Sequence, residues 1–168
     1  MTAGTVLEIF TTSAAYEPMV AQTEAKAIPG KGLASDRYAL GIGFYSKNPI
    51  TSGARELTLI DAGAITQVTE ETGLPFSSRE SRRNLITTGV DLDGLIGQAF
   101  SVGEVLCEGV RGCPPCVHLE EVTGKNVMKA LVRTGGLRAR IVRGGTIRIG
   151  DAIEVIGPAQ GPSVGSDE

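Results

Sequence analysis

The fold is decided by residues 137–149, Leu137-Arg138-Ala139-Arg140-Ile141-Val142-Arg143-Gly144-Gly145-Thr146-Ile147-Arg148-Ile149. Apolar Leu137, Ala139 and Ile141 alternate with Arg138 and Arg140, which is the period of a strand with one buried face. Both glycines at 144–145 can adopt positive φ, so they predict a two-residue turn. We therefore expect an antiparallel hairpin, with Ile147 and Ile149 continuing the buried face on the returning strand.

Outside this stretch, the sequence predicts further short strands and two helices. Asp61 can cap a helix that runs to about Thr72, because its apolar positions have helical spacing and Gly73 follows. A second helix is expected to begin near Thr123. The predicted strands are Thr5–Thr11, Glu56–Ile60, Leu85–Thr88 and a pair within Gly97–Cys107 that bends at Gly103. These elements predict a mainly β fold, a closed or nearly closed β barrel with two main helices.

The length of 168 residues fits one domain. We expect this domain to span residues 1–157. The remaining residues, 158–168, are mostly Gly, Pro, Ser and acidic, so they predict a disordered tail.

Composition argues against several classes of protein. A net charge of −3, a pI near 5.3 and the absence of Trp disfavour a nucleic-acid-binding protein. The first ten residues lack the features of a signal peptide, and no apolar run approaches the length of a membrane span. We therefore expect a cytoplasmic protein with no membrane association. Eleven arginines against five lysines weakly favour the recognition of anions.

The richest chemistry lies in Gly112-Cys113-Pro114-Pro115-Cys116-Val117-His118-Leu119. This segment holds two of the three cysteines and the only histidine. Two consecutive prolines stiffen it, which suits a thiol that must be presented in one geometry.

Three chemistries compete with an inert role for these cysteines. Cys113 and Cys116 form a C-x-x-C, but the surrounding pattern is not the βαβ context of a redox dithiol. A zinc half-site from Cys113, Cys116 and His118 would have only Cys107 left as a sulfur ligand, and Cys107 falls in a predicted strand. The third chemistry is a single reactive thiolate at Cys116, acting as nucleophile, persulfide carrier or cofactor ligand. A buried thiol without chemistry is the preferred interpretation for Cys107.

His118 lies two residues after Cys116. In an extended segment the two side chains would point to the same face. His118 could then favour the thiolate or shuttle a proton, although a lone histidine is more often structural.

Five motifs, in this order, resemble those of the MOSC domain, the module also found at the C-terminus of molybdenum-cofactor sulfurases. The chain is most similar to the short, free-standing bacterial form. The motifs are Gly32-Leu33-Ala34-Ser35-Asp36-Arg37-Tyr38; Arg55-Glu56-Leu57-Thr58-Leu59-Ile60; Arg82-Arg83-Asn84-Leu85; Cys113-Pro114-Pro115-Cys116-Val117-His118-Leu119-Glu120; and Gly135-Gly136-Leu137-Arg138-Ala139 with Gly144-Gly145-Thr146-Ile147 and Gly150-Asp151.

The resemblance implies a barrel of the MOSC (pyruvate-kinase-barrel-like) type and a functional cysteine at Cys116. It also implies binding of a molybdopterin-type or sulfur-bearing group, with Cys116 carrying sulfur or, if molybdenum is bound, ligating the metal. No pyridoxal-phosphate desulfurase domain is recognisable, so sulfur would come from a cysteine desulfurase or another donor protein. The alternative function is a non-catalytic module of the same fold that binds an anion or small molecule, so whether the chain is an enzyme is left open.

The arginines fit the same interpretation physically. Charge-assisted donors suit a pterin phosphate, and the candidates for this role are Arg37, Arg82, Arg83, Asn84 and Arg138. The competing interpretation is that Asp36 and Arg37 form an internal ion pair and that Arg82-Arg83 is a solvated run. We expect Arg82, Arg83 and Asn84 to share a cleft with Cys116, with Arg37 or Arg138 nearby.

Overall fold

The computed structural model describes residues 4–14, 17–40, 56–113 and 136–159. Strands dominate this part of the chain. They are β1 (Gly4–Thr11), β2 (Val20–Gln22), β3 (Glu24–Ile28), β4 (Gly32–Leu33), β5 (Leu57–Asp61), β6 (Leu85–Thr88), β7 (Gln98–Val102), β8 (Val105–Gly112), β9 (Leu137–Arg143), β10 (Gly145–Arg148) and β11 (Ala152–Pro158). The helix α1 spans Ala62–Thr72, and 3-10 turns occur at Arg79–Ser81 and Asp93–Leu95.

Seven of the strands in the described ranges close into a barrel. Their order is β1-β6-β5-β9-β8-β7-β11, and pairing of β11 with β1 completes the circle. The pairings are antiparallel except for β5 with β6, which are parallel and are connected through α1. The prediction of a closed, mainly β barrel is therefore confirmed.

The barrel interior is filled by alternate residues of these strands. Leu57 and Leu59 of β5, Leu137 and Ala139 of β9 and Phe100 of β7 belong to one buried cluster. A small sheet, in the order β10-β3-β4, packs against the same cluster through Ala27, Leu33 and Ile147. The predicted alternation of Leu137, Ala139 and Ile141 is confirmed, because all three are buried in this cluster.

Helix α1 covers the outside of the barrel over β5 and β6. The Asp61 carboxylate accepts a hydrogen bond from the Gly63 N–H at 2.8 Å and so caps the helix, as predicted. Gly73 ends it in the left-handed conformation, with φ of 71°. Ala64, Ile65 and Val68 pack with Ile60, Ile86 and Phe10 in a second apolar cluster.

The predicted hairpin around Gly144-Gly145 is wrong. Strand β10 pairs with β3, whereas β9 pairs with β8 and β5. A strand has two edges, and β9 uses both inside the barrel, so the chain passes into the small sheet instead of folding back. Gly145 does adopt a positive φ, 157°, which residues with a side chain rarely take, but it does so at the start of β10 and not in a hairpin turn. At Gly144 a Cβ would lie 2.7 Å from the Ala27 carbonyl oxygen, so this glycine permits close approach to β3.

The remaining fold predictions have mixed outcomes. The pair in Gly97–Cys107 is the antiparallel pair β7–β8, joined at Gly103 with φ of 58°. The second helix, expected near Thr123, lies outside the described residues. Strand β11 continues to Pro158 and the Ala159 N–H donates to the Gly97 carbonyl, while residues 160–168 of the predicted tail also lie outside that part.

Candidate functional site

Strands β5 and β9 place apolar side chains on the inner face of the barrel, in the core, and polar side chains on the outer face. Arg138 of β9 is the register partner of Thr58 of β5. Thr58 in turn contacts Asn84, the residue before β6. We call Arg138, Thr58 and Asn84 the outer row. All three are buried, with at most 8% of each exposed.

Asn84 connects three strands through hydrogen bonds. Its side-chain oxygen accepts from the Thr58 N–H at 3.2 Å and lies 3.2 Å from the Thr58 hydroxyl. Its amide donates to the Phe10 carbonyl at 3.1 Å, and its backbone N–H donates to the Thr58 hydroxyl at 2.9 Å. These contacts give Asn84 a structural role that the sequence did not reveal, and its predicted role in cofactor binding stays a prediction.

Arg37 lies four residues after the end of β4 and contacts the backbone of Arg82. Its guanidinium donates to Asp36 at 3.2 Å and to the Arg82 carbonyl at 3.2 Å. The Asp36 carboxylate also accepts from the Thr12 N–H at 3.1 Å. Arg37 and Asp36 are 5% and 1% exposed, so the internal ion pair exists and is buried. This contact anchors Arg37 beside Arg82.

Arg82 lies in a strained conformation next to Arg37. Its φ of 59° is unusual for a residue with a side chain. Its guanidinium donates to the Glu17 carbonyl at 2.7 Å. Burial, followed by the positive charge of Arg37, lowers the pKa of Arg82 to about 10, so the side chain remains charged at neutral pH. The positively charged Arg37 and Arg82 side chains are therefore close together and shielded from water, which favours binding of an anion beside them.

Arg83 joins this region to the cysteine segment. It donates to the Cys113 carbonyl at 3.0 Å and to the Ser81 carbonyl at 3.4 Å. The Cys113 N–H donates to the Gly136 carbonyl at 2.8 Å. A Cβ at Gly136 would clash with the Leu59 carbonyl, so the backbone there approaches β5 closely. We call Arg37, Arg82 and Arg83 the arginine cluster.

The solvated-run interpretation of Arg82-Arg83 is wrong, because these arginines are only 4% and 8% exposed. The structure thus brings Arg37, Arg82, Arg83 and Asn84 together, with Arg138 at the far end of the outer row. Cys116 and His118 lie outside the described residues, so their predicted place in the same cleft stays a prediction.

The two cysteines within the described ranges, Cys107 and Cys113, are both buried. Cys107 lies in the barrel core, and burial raises the pKa of its thiol to about 12. It is therefore an unreactive thiol at neutral pH, as its strand position predicted. Cys113 is 2% exposed at the end of β8. In the part of the chain that the structure describes, no group of three His, Cys, Asp or Glu side chains is arranged to hold a metal.

Two charged residues near this region were not identified from the sequence as candidates for the site. Arg111 of β8 is the register partner of Arg138 and is partly buried. Glu56 accepts from the Ile141 N–H at 2.9 Å and the Gly30 N–H at 3.0 Å, and it thereby connects β9 to the turn between β3 and β4. The position of Arg111 two residues before Cys113 was the available signal for the first. Glu56 belongs to one of the five family motifs, but its role was not apparent because its partners Ile141 and Gly30 are distant in sequence.

None of the helices in the described ranges is both long and apolar enough to span a membrane. The structure is similar to the YuaD protein from Bacillus subtilis, with a TM-score of 0.73 and 17% identity over 95% of this chain and 98% of that one. It is also similar to YiiM from Geobacillus stearothermophilus, with a TM-score of 0.67 and 15% identity over 91% of this chain and 75% of that one. YiiM from Escherichia coli has a TM-score of 0.63 and 17% identity over 98% and 74%.

No curated protein matches this sequence significantly. The family model of the MOSC domain, in contrast, matches residues 46–154, which is about two thirds of the chain. The match includes β5 to β10 and the first three residues of β11. It also includes the cysteine segment and every predicted site residue except Arg37. The protein therefore belongs to the MOSC domain family, which is linked to modules of molybdenum-cofactor sulfurases.

Proposed function

We propose that this protein is a cytoplasmic thiol module that handles sulfur or a molybdopterin-type cofactor. Cys116 is its reactive group, and the arginine cluster with Arg138 binds the anionic part of the ligand. His118 assists by holding or moving the proton of the Cys116 thiol. The proposal builds on family membership, which supplies the general link to molybdenum-cofactor chemistry.

The observation that carries the proposal is the contact from Arg83 to Cys113. One buried arginine belongs to the cationic cluster and also donates to the carbonyl of Cys113 at 3.0 Å. Cys116 follows three residues later in the sequence, after two prolines that limit the conformations between them. The contact thus supports an anion site and a thiol that act on one ligand.

The donors suit the anionic part of such a cofactor. Guanidinium groups bind phosphate oxygens through paired, charge-assisted hydrogen bonds. The Nε atom of Arg37 is buried and has no hydrogen-bond acceptor among the described residues, so it can serve a ligand oxygen. When bound, a molybdopterin-type cofactor would supply a molybdenum centre, for which Cys116 would be the thiolate ligand of this chain.

Sulfur transfer would proceed by thiol–persulfide exchange. The Cys116 thiolate attacks the terminal sulfur of a persulfide on a donor such as a cysteine desulfurase. The new bond joins Cys116 Sγ to that sulfur, the sulfur–sulfur bond of the donor breaks, and the donor cysteine leaves as a thiolate. No external oxidant is needed, and the pyridoxal phosphate that makes the persulfide belongs to the donor. The positive charge of the arginine cluster would favour the attacking thiolate.

The test is to incubate the protein with a cysteine desulfurase and cysteine, then to weigh the intact protein for added sulfur. We expect Cys116→Ser to abolish loading and Cys113→Ser only to weaken it. Cys107→Ser is the matched control and should load like the wild type, because the Cys107 thiol is buried with a pKa of about 12.

Other outcomes would contradict the proposal in distinct ways. Equal loading of wild type and Cys116→Ser would exclude Cys116 as the carrier. Equal loss in Cys113→Ser and Cys116→Ser would favour a redox dithiol, which needs both sulfurs. A wild type that binds phosphate but neither takes up sulfur nor retains a pterin from a molybdenum-replete host would favour the alternative, a non-catalytic anion-binding module.

A further inference from the structure

Two residues other than glycine adopt the left-handed backbone conformation in the described part of the chain, and both belong to one region. Ser35 has φ of 68° and Arg82 has φ of 59°. They are connected through Arg37, which follows Ser35 by two positions and donates to the Arg82 carbonyl at 3.2 Å. Strained backbone of this kind persists only where the surrounding structure holds it, and it is concentrated at functional sites. The strain therefore directs attention to Ser35, beside the arginine cluster.

Ser35 occupies the third position of a tight turn. The Asp36 N–H donates to the Leu33 carbonyl at 3.0 Å and closes this turn. Turns with a positive φ at the third position favour glycine there, because a side chain crowds the backbone in that conformation. Ser35 is exposed, so packing of its side chain does little to offset the cost. Glycine would form the same turn without strain, and the turn alone therefore does not account for a serine.

The residues that follow Ser35 are fixed by hydrogen bonds. The Asp36 carboxylate accepts from the Thr12 N–H at 3.1 Å and from the Tyr38 N–H at 3.4 Å. It also pairs with the Arg37 guanidinium at 3.2 Å. Asp36 is only 1% exposed, so these bonds are shielded from water. The backbone of Ser35 is consequently held in one place relative to Arg37.

Ser35 also lines a cavity of about 350 Å³ that borders the arginine cluster. Glu17 belongs to the same wall, and its carbonyl accepts from the Arg82 guanidinium at 2.7 Å. Met19 lies between two residues of the wall, and its sulfur is 3.5 Å from Nη1 of Arg37. Both guanidinium groups thus contact the segment that forms the wall of this cavity. A ligand in the cavity would meet Ser35 and lie next to the cluster.

We propose that Ser35 is a ligand-binding residue, whose hydroxyl donates a hydrogen bond to the anion that the arginine cluster binds. The inference rests on the proposed anion site and adds a neutral donor to it. The ligand group is an oxyanion of the phosphate class. A hydroxyl can rotate toward an oxygen of such an anion, while the guanidinium groups bind its other oxygens. The hydrogen bond to the ligand is the reason for a serine at a position that favours glycine.

The test is calorimetric titration of the full chain and its variants with inorganic phosphate. Ser35→Gly and Ser35→Ala both remove the hydroxyl, and each should weaken phosphate binding about tenfold, as expected for one hydrogen bond to a charged group. Ser35→Asn should bind more tightly than either, because asparagine tolerates a positive φ and supplies an amide donor. Gly30→Ser is the matched control. It places a serine at a φ of 76° in the turn between β3 and β4, where no other atom lies within 4 Å of the added Cβ.

Thermal unfolding without ligand separates strain from binding. Ser35→Gly should unfold at the wild-type temperature or slightly above it, because relief of strain offsets the greater freedom of glycine in the unfolded chain. Ser35→Ala should unfold like the wild type, because alanine has a similar cost at this φ. Gly30→Ser should unfold at a lower temperature and yet bind phosphate like the wild type, since it adds strain without touching the ligand.

Several outcomes would overturn the inference. Unchanged phosphate affinity in both Ser35→Gly and Ser35→Ala would do so and leave the proposed function standing. Loss of affinity in only one of the two would show that the backbone, and not the hydroxyl, causes the effect. Loss of affinity together with a large fall in the unfolding temperature would make Ser35 a structural residue. A wild type that binds no phosphate would count against the inference and the proposed anion site together.

Discussion

The two faces of strand β9 differ in the chemistry of their side chains. The inner face places Leu137, Ala139 and Ile141 in the barrel core. The outer face places Arg138 opposite Arg111 and beside Thr58. Leu137 and Arg138 are both buried, yet Leu137 packs in the apolar core and Arg138 lies between Arg111 and Thr58. A single strand of the barrel can therefore contribute to stability through its inner face and to the proposed binding through its outer face, because successive side chains point to opposite sides.

The largest effect should come from the inner face. Leu137→Ala should lower the free energy of unfolding by about 3 kcal/mol, because a fully buried leucine is removed and a cavity remains. Affinity for phosphate should not change in the folded protein. Chemical denaturation and calorimetric titration measure the two quantities. A loss of phosphate affinity without a loss of stability would break the distinction between the faces.

Asn84 tests whether the outer row contributes to stability as well as to binding. Asn84→Ala should cost about 2 kcal/mol, because it removes the acceptor of the buried Thr58 N–H and the amide that donates to the Phe10 carbonyl. Thr58→Ser keeps the hydroxyl and is the matched control, with a smaller loss in the same denaturation series. If Asn84→Ala instead lowered phosphate affinity with stability unchanged, Asn84 would be a ligand-binding residue.

Arg138 should show the reverse pattern to Leu137, its neighbour in sequence. Arg138→Gln should weaken phosphate binding about tenfold, which corresponds to about 1.4 kcal/mol. Its stability without ligand should fall less than that of Leu137→Ala, because glutamine keeps hydrogen-bonding groups at this position and leaves no cavity in the apolar core. Arg143→Gln, the exposed control on β9, should bind like the wild type. Titration at several salt concentrations would add a check, since an electrostatic contribution should decline as ionic strength rises.

Glu56 should give the smallest effect. Burial raises the pKa of its carboxyl group, against the opposing influence of the Ile141 and Gly30 N–H donors and of Arg140. A raised pKa in the folded state means that Glu56 favours folding most when protonated, below its ordinary value of 4.5, and that this contribution is lost as pH rises through the raised value. Glu56→Gln keeps the accepting oxygen and should flatten this small decline. The measurement is the free energy of unfolding in urea, followed from below pH 4.5 to neutral pH. If the prediction were wrong, this free energy would change with pH in the same way for the wild type and for Glu56→Gln.

Local features of the fold were predictable because nearby residues determine them. The Asp61 cap, the apolar positions of α1 and Gly73 lie within a few turns of one another. The Leu137–Arg143 alternation was likewise sufficient to predict a strand with an apolar and a cationic face. Partners were harder to predict. Gly144-Gly145 suggested a hairpin, yet β10 pairs with β3, more than a hundred residues earlier in the chain.

The candidate site shows the same division. The arginine excess and the Arg82-Arg83-Asn84 motif indicated which residues to examine, and family resemblance indicated Cys116. Arg111 was missed because a single-residue bulge determines the side to which it points. Asn84 could not be distinguished as a structural residue, because its partners Thr58 and Phe10 are distant in sequence.

By itself, the sequence determined that this protein is a mainly β member of its family with a cysteine segment and a surplus of arginine. Alternation, capping and motif order depend on residues that are close along the chain. Only the tertiary structure decided which strands pair and that the barrel closes through β11 and β1. It also decided that Arg37 donates to the Arg82 carbonyl and that Arg83 donates to the Cys113 carbonyl. These contacts join residues that are tens of positions apart in the sequence. Which of them form depends on the whole fold, because a strand can pair only along an edge that no other strand already occupies.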